Sequence, residues 1–252
     1  MTRTHLKHVR AYVDGYDFSG YERAVSAMGW TYTTSPDAAL SDEAKNIVLG
    51  RPSITLASLN GFLDNDTAGQ FAVTSAGYGT RNIAIAIGNR AAPAQGDPVF
   101  AWKFEQTSYG VEGGEGFVAA NLMLGDASYS STLTYSKPWG YLLHAKGAET
   151  AVNTAIGIDD YGAQTTAGGI FIYHLLTSNG TVTLKAQDAS TNSNGSFADL
   201  SGATSGSITA ASTPTSGMVA LSTSATVKRY LRWQLVFGTA TTATFVMAFI
   251  RG

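Results

Sequence analysis

Acidic residues beside turns are the first candidates for chemistry in this sequence of 252 residues. Asp14 and Asp17 flank a glycine, and Asp64 and Asp66 are separated by a single residue. Two nearby carboxylates can transfer protons or bind a cation, but aspartate at a turn more often accepts hydrogen bonds from local backbone N–H groups. The second pair also departs from the EF-hand loop, because Ala68 stands at the position of the third ligand. We therefore interpret both pairs as turn residues.

Two glutamates, Glu112 and Glu115, lie in the glycine-rich segment 108–116. Glycine-rich loops can hold phosphate, but this segment has no Gly-Lys-Ser/Thr sequence, and its carboxylates would repel a phosphate group. We predict a solvated loop that joins the strands 99–107 and 117–124. Its two glutamates are candidates for contact with a neighbouring subunit.

The histidines and serines form no recognisable catalytic arrangement. His5 and His8 lie near the N-terminus, where we expect an unstructured or docking arm, and His174 lies in an apolar run, where a hydrogen-bonded core or interface histidine is expected. The sequence has no Gly-x-Ser-x-Gly motif and no cysteine, so it lacks a cysteine nucleophile and thiolate metal ligands. We predict that the chain is not an enzyme and has no catalytic residue, cofactor or metal site.

The composition indicates which partners the chain can have. Only 13% of the residues are charged and the net charge is −2, so the basic surface of a nucleic-acid-binding protein is missing. No apolar run approaches the roughly 18 residues of a membrane span, and we expect no membrane partner. A lone soluble domain normally carries more charge, so the composition fits a chain that neighbouring subunits largely cover.

The positions of the strands follow from alternation and turn signals in the C-terminal eighty residues. The runs Ile170–Thr177 and Thr181–Asp188 flank Asn179-Gly180, a pattern that predicts a hairpin. The runs Tyr230–Phe237 and Thr244–Ile250 close the chain. We predict consecutive paired strands throughout this part.

The Tyr230–Phe237 strand has two faces of different character. Its odd positions, Leu231, Trp233, Leu235 and Phe237, are apolar and are predicted to pack inward. Its other face carries Tyr230, Arg232 and Gln234, which are predicted to meet solvent or a neighbouring subunit. These three residues, with Glu112 and Glu115, form the candidate subunit interface.

One short helix and one approximate boundary between two domains complete the predicted organisation. Ser41–Leu49 has an N-terminal serine and two acidic residues, and Gly50 follows it, so we predict a short amphipathic helix there. The polar connector that ends at Lys137 separates two predicted domains, 1–137 and 138–252. The fold class is mainly β, with two tandem β-sandwich or barrel units and one short flanking helix.

Several segments resemble a known family. In the N-terminal half, Tyr12–Ser19, Ile54–Asp64, Val99–Thr107 and Phe117–Leu124 resemble the major tail (tail tube) proteins of long-tailed bacteriophages. In the C-terminal half, Thr181–Asp188, Phe197–Leu200 and Val227–Arg232 are similar to β modules of phage virion proteins. The resemblance implies a virion tail protein, present in the host cytoplasm during assembly. It also implies self-assembly into stacked rings, contact with other phage tail proteins, and DNA as a non-specific passing cargo.

Two questions stay open at the level of sequence. Two β halves in one chain favour a ring of three with pseudo-sixfold symmetry, and they also fit a ring of six in which one half is outer decoration. The alternative function is a carbohydrate-binding β module, or a capsid or neck decoration protein, with Trp30 or Trp139 as a stacking platform. Trp102 and Trp233 lie in apolar strands, where core packing is expected.

Overall fold

The computed structural model describes residues 6–20, 22–36, 47–64, 66, 69–75, 77, 79–114, 117–127, 137–159 and 162–252. These residues are mainly β-strand, and the prediction of a mainly β fold is confirmed. The strands are β1 (Val9–Val13), β2 (Tyr16–Asp17), β3 (Glu22–Val25), β4 (Met28–Pro36), β5 (Ile47–Leu56), β6 (Ser58–Phe62), β7 (Thr80–Ile87), β8 (Pro98–Gly114), β9 (Phe117–Ala127), β10 (Trp139–Glu149), β11 (Ile158–Asp159), β12 (Gly169–Ser178), β13 (Val182–Ala189), β14 (Ala198–Ile208), β15 (Thr215–Ala220), β16 (Tyr230–Phe237) and β17 (Ala243–Arg251). One short α-helix, α1 (Gln70–Thr74), and three 3₁₀ turns at Leu6–His8, Asn194–Ser196 and Ala210–Ser212 accompany them.

The strands form three antiparallel sheets. The large sheet runs in the order β15-β12-β17-β10-β8-β7-β1-β2, and β9, β6 and β3 branch from β8. The small sheet has the order β11-β16-β13-β14. The third sheet is the two-stranded ribbon of β4 and β5.

Strands β12 and β17 form a middle layer that is buried on both faces. In β17, Val246, Ala248 and Ile250 pack in one hydrophobic core with the N-terminal strands, whereas Phe245, Met247 and Phe249 pack in a second core against the small sheet. In β12, Ile170 and Ile172 alternate with Phe171, Tyr173 and Leu175 in the same way. Side chains alternate between the faces of a strand, so a strand buried on both sides is an almost continuous apolar run.

The predicted hairpin at Asn179-Gly180 is wrong in its pairing, although both strands exist. β12 pairs with β15 and β17, whereas β13 pairs with β14 and β16. The turn therefore crosses from the large sheet to the small sheet. The predicted pairing of the two last strands is wrong for the same reason, because β16 belongs to the small sheet and β17 to the large one.

The two crossings pack against each other, which explains the Asn-Gly sequence. The side-chain oxygen of Asn179 accepts hydrogen bonds from the backbone N–H groups of Thr241 and Thr242, at 2.9 and 3.1 Å. A Cβ atom added to Gly180 would lie 2.5 Å from the backbone nitrogen of Ala240. Glycine is thus required at position 180 because two connecting segments of the same chain approach closely there, and not because a hairpin turn needs it.

Among the described residues, the α-helix lies at Gln70–Thr74 and not in the described part of the predicted helix. Residues 41–46 of the predicted helix Ser41–Leu49 lie outside the described residues, and the remainder begins strand β5. The observed helix α1 has no side-chain hydrogen bond at its N-cap, Gly69, and ends after a single turn. Buried Gln70 donates to Glu22 of β3 and the Thr74 carbonyl accepts from Gln106 of β8, and these two hydrogen bonds fix the helix to the large sheet.

The large sheet contains strands from both predicted domains. β10 pairs with β8 through Trp139 and Phe100 and through Gly140 and Val99. The first hydrophobic core likewise combines residues from both sides of residue 137. The division into 1–137 and 138–252 stays a prediction.

Candidate functional site

The candidate interface residues that the structure describes lie on strands of two different sheets. Tyr230, Arg232 and Gln234 lie on β16 in the small sheet, whereas Glu112 is exposed near the end of β8 in the large sheet. Glu112 belongs to a continuous strand rather than to the predicted loop, and Glu115 lies outside the described residues. The interface itself stays a prediction, because the structure contains a single chain.

Arg232 is buried, which corrects the prediction that it meets solvent or a neighbour. Its side chain is among the buried charged groups, with 5% exposure. The guanidinium donates to the Gln187 side chain at 2.8 Å, to the Ala155 carbonyl at 2.9 Å and to Asn194 Oδ1 at 2.7 Å. It also lies over the ring of Phe197, 4.4 Å from the centroid. Arg232 therefore holds two loops against the small sheet.

The apolar face of β16 is as predicted. Leu231 and Leu235 are fully buried and Trp233 nearly so, while Phe237 is partly buried against the same core. Trp102 is also fully buried, so the expectation of core packing for both tryptophans is confirmed.

An exposed aromatic pair distinguishes the β4–β5 ribbon. Trp30 is 39% exposed and Tyr32 is 37% exposed, and their rings meet edge to face at 5.6 Å. The base of the ribbon is anchored by Ile54 and Leu56, which are buried in the first core. Within the described ranges, the ribbon hydrogen-bonds to no further strand.

The two aspartates at the first turn have structural roles: Asp17 makes the predicted local turn contact, whereas Asp14 binds the distant strand β7. Asp17 accepts hydrogen bonds from the backbone and hydroxyl of Ser19 and forms an ion pair with Lys146 at 2.7 Å. Asp14 accepts from the backbone of Asn82 at 2.9 Å and forms an ion pair with Arg81 at 3.0 Å. Each of the four carboxylate oxygens therefore has a partner within the fold.

The two histidines of the C-terminal half are structural. His174 is completely buried, and its Nδ1 accepts a hydrogen bond from the backbone N–H of Gly15 at 3.2 Å. Burial lowers the pKa of His174 to about 3. Both ring nitrogens of His144 have partners, the carbonyl of Phe245 at 3.2 Å and the carboxylate of Glu149 at 2.9 Å. These findings agree with the predicted hydrogen-bonded core histidine.

Polar side chains surround the start of helix α1, an arrangement not predicted from the sequence, in which Asp64 was interpreted only as a turn residue. It comprises Glu22, Asp64, Gln70 and Tyr109, and we call it the α1 cluster. The Gln70 amide nitrogen donates to Glu22 Oε1 at 3.1 Å. Burial raises the pKa of Glu22 to about 8. Burial also raises the pKa of Tyr109, a nearby Thr74 hydroxyl lowers it, and the charges of Glu22 and Asp64 raise it further.

Two further findings concern metal binding and membrane crossing by the described residues. No group of three or more His, Asp or Glu side chains in those ranges is placed to hold a metal ion. None of the helices in the same ranges has the length and apolar character needed to cross a membrane.

Comparison with known proteins gives little further guidance. Neither a protein-family model nor a curated protein matches the sequence. Among solved structures, the chain aligns with the Dit protein of phage SPP1, which is described as a paradigm of the hub adsorption apparatus in phages that infect Gram-positive bacteria. The alignment covers 97% of this chain and 99% of that chain, with 12% identity and a TM-score of 0.31.

Proposed function

We propose that this chain is a structural subunit of the tail of a long-tailed bacteriophage. In this proposal, copies assemble into rings of three or six that stack into the tail tube, and DNA passes through the centre. Other phage tail proteins are further partners, and the chain performs no enzymatic reaction. The starting point is the resemblance of several sequence segments, and of their order along the chain, to major tail proteins of phages.

The observation that carries the proposal is the exposed β4–β5 ribbon. A two-stranded ribbon is marginally stable in water by itself, and aromatic side chains are enriched where proteins contact one another. Trp30 lies opposite Ile54 at the anchored base of the ribbon, Tyr32 lies further along opposite Pro52, and both side chains are exposed. Contact with a neighbouring subunit would bury them and add pairing partners to the ribbon edges.

The low charge of the chain supports the same proposal. Head-to-tail contacts between identical subunits generate rings, and rings can stack into tubes. Subunits in such an assembly are covered on several sides, so they need fewer charged residues for solubility than a free domain. A net charge of −2 is also compatible with a conduit to which DNA does not adhere.

Negative-stain microscopy and light scattering of the purified protein test the proposal. We expect rings or tubes with a central hole, and we expect a Trp30→Ser/Tyr32→Ser variant to remain monomeric. The matched control is Val152→Ser, because Val152 is also an exposed apolar residue, at 49%, but lies outside the ribbon. A wild-type protein that stays monomeric at high concentration would contradict the proposal.

The same aromatic pair favours a second candidate, a carbohydrate-binding module on a virion surface. Exposed tryptophan and tyrosine rings can stack on sugar rings, and Trp30 and Tyr32 are adjacent and accessible. A reproducible glycan-array signal from a monomeric protein, lost in the Trp30→Ser/Tyr32→Ser variant, would favour this candidate over the tail tube.

A further inference from the structure

The hydrogen bond between Gln70 and Glu22 joins two side chains that each keep one oxygen without a donor. The Gln70 amide nitrogen donates to Glu22 Oε1 at 3.1 Å, and this contact connects helix α1 to strand β3. The other oxygen of each group, Gln70 Oε1 and Glu22 Oε2, is buried and receives no hydrogen bond from the described residues. Buried side-chain oxygens normally have a hydrogen-bond partner, so this contact lacks a donor.

A proton on Glu22 would supply that donor. A protonated carboxyl group has one O–H donor and an acceptor oxygen, and a side-chain amide likewise has donors and an acceptor. A carboxyl group and an amide that share one N–H···O hydrogen bond can therefore close a ring through a second, O–H···O hydrogen bond. An ionised carboxylate only accepts, so it would leave both remaining oxygens without a donor.

Among the described residues, the cationic side chains near Glu22 do not neutralise it. On the β1 side, Lys7 and Arg10 border a cavity of about 180 Å³ with Glu22, but Arg10 donates to two backbone carbonyls of its own segment. On β3 itself, Arg23 lies over the ring of Phe62, 5.3 Å from the centroid. Within the described part of the chain, no lysine or arginine forms an ion pair with Glu22.

The other titratable groups around Glu22 are acidic. On β8, burial raises the pKa of Tyr109, and negative charge on Glu22 and Asp64 raises it further. Asp64, in the segment after β6, accepts the backbone N–H of Asp66 at 3.0 Å. The residues of β6 that lie opposite β3 do not titrate. None of these groups can compensate a negative charge on Glu22, whose pKa burial raises to about 8.

We propose that Glu22 carries a proton in the folded chain and forms a ring of two hydrogen bonds with the Gln70 amide. This ring closes the start of helix α1 against β3. Loss of the proton opens it, because the carboxylate and the amide oxygen then repel each other. The end of the helix stays attached, since Gln106 of β8 donates to the Thr74 carbonyl at 2.7 Å. The proposal does not depend on the proposed tail function.

The direction of the pH dependence follows from this proton. The pKa of Glu22 is about 8 in the closed state and about 4.5 when exposed. Between these values the opened helix has lost a proton that the closed helix keeps, so opening becomes about tenfold more favourable for each pH unit. The closed state is most stable below about pH 4.5, and the change levels off above about pH 8. Buried His174 gives the whole fold the opposite dependence in acid, so opening is measured at α1.

Hydrogen exchange of peptides that cover residues 69–75, read by mass spectrometry, tests this dependence. From about pH 5 to about pH 7, we expect the protection of these amides in the wild-type chain to fall about hundredfold, after correction for the intrinsic exchange rate. Glu22→Gln keeps the side-chain shape and can form both hydrogen bonds with Gln70 through its own amide. Its protection should stay constant over the same range.

Asp199→Asn is the matched control for the loss of one carboxylate. Asp199 is exposed and binds Lys185 and Gln187, far from α1 in the small sheet. This variant should show the same change of protection with pH as the wild-type chain. The same pH dependence in the wild-type chain and in Glu22→Gln would overturn the proposal.

Infrared difference spectroscopy detects the proton itself. At about pH 6, the spectrum of the wild-type chain minus that of Glu22→Gln should contain the C=O stretching band of one protonated carboxyl group. This band should disappear by about pH 10, because Glu22 ionises near pH 8. The corresponding spectrum with Asp199→Asn should lack the band, since hydrogen bonds from Lys185 and Gln187 lower the pKa of Asp199. Absence of the Glu22 band at about pH 6 would also overturn the proposal.

Discussion

The guanidinium of Arg232 joins strand β16 to two loops that cover the small sheet. It satisfies Gln187, the Ala155 carbonyl and Asn194 while it lies over Phe197. Burial lowers the pKa of Arg232, but the group keeps its charge because an arginine pKa starts far above neutral pH. A buried charge with several hydrogen bonds contributes mainly through the partners that its removal would leave unsatisfied.

Replacement of Arg232 should therefore destabilise the chain. We expect Arg232→Met, which keeps a long apolar stem, to lower the free energy of unfolding by about 1–3 kcal/mol. The reason is that the substitution leaves buried acceptors without a hydrogen-bond donor. Urea denaturation measures the change. The control is Lys185→Met, which breaks a solvent-accessible ion pair with Asp199 and should cost less than about 1 kcal/mol. Equal effects of the two substitutions would contradict the structural role.

Because His174 is buried, we expect the folded chain to lose stability in acid. Its pKa is about 3 in the folded chain and near 6.5 when exposed. The unfolded chain therefore binds a proton between these values and the folded chain does not, so stability is present above about pH 6.5 and is lost as the pH falls. The contribution of this residue approaches about 1.4 kcal/mol per pH unit.

A His174→Asn variant isolates this contribution, because the amide oxygen can accept the Gly15 N–H but does not titrate. We expect the variant to be less stable at neutral pH and to lose stability more slowly between pH 6 and about 4. Urea denaturation at several pH values checks both. Parallel pH profiles for the two proteins would show that His174 is not responsible.

At the level of elements, the two crossings between the sheets depend on close contact of their turns. The turn at Asn179-Gly180 and the connection at 238–242 are held together by the Asn179 side chain. The missing side chain of Gly180 lets the backbone of Ala240 approach. The small sheet is thereby fixed over the middle layer where β12 leads into β13 and where β16 leads into β17.

A methyl group at Gly180 should disturb this contact. We expect Gly180→Ala to lower the free energy of unfolding by about 1–3 kcal/mol, because the added atom would overlap the Ala240 backbone, 2.5 Å away. Gly195→Ala is the matched control, since a Cβ atom there meets nothing within 4 Å. Thermal or urea denaturation compares the two, and equal stabilities would refute the close-approach role.

Particular elements show how far the sequence predicts this fold. Alternation located β13 and β16 and their buried faces, because burial on one side imposes period two. Alternation could not identify the strands with which β13 and β16 pair, because an Asn-Gly sequence occurs at a crossing between sheets as well as in a hairpin. The burial of Arg232 and the α1 cluster were also missed, because they depend on loops and on residues far apart in sequence. Of the two exposed aromatic residues on the ribbon, Trp30 but not Tyr32 is identified from the sequence.

For the whole molecule, the proposed tube predicts the charge of the inner surface. DNA passes a wall without adhering when the wall is neutral or acidic. In an assembled ring, we expect Asp and Glu to outnumber Lys and Arg among the residues that face the lumen. Electron cryomicroscopy of the assembly identifies those residues. A lumen lined mainly by lysine or arginine would contradict a DNA conduit.

The position of β17 in the middle layer affects the order in which the chain can fold. β17 lies between β10 and β12 and pairs with both, so these strands have an unpaired edge until β17 has been made by the ribosome. Pairing of distant segments is slow, typically milliseconds to seconds in β-sandwiches, and open strand edges favour association with other chains. During synthesis, the nascent chain is therefore exposed to premature association until this strand arrives.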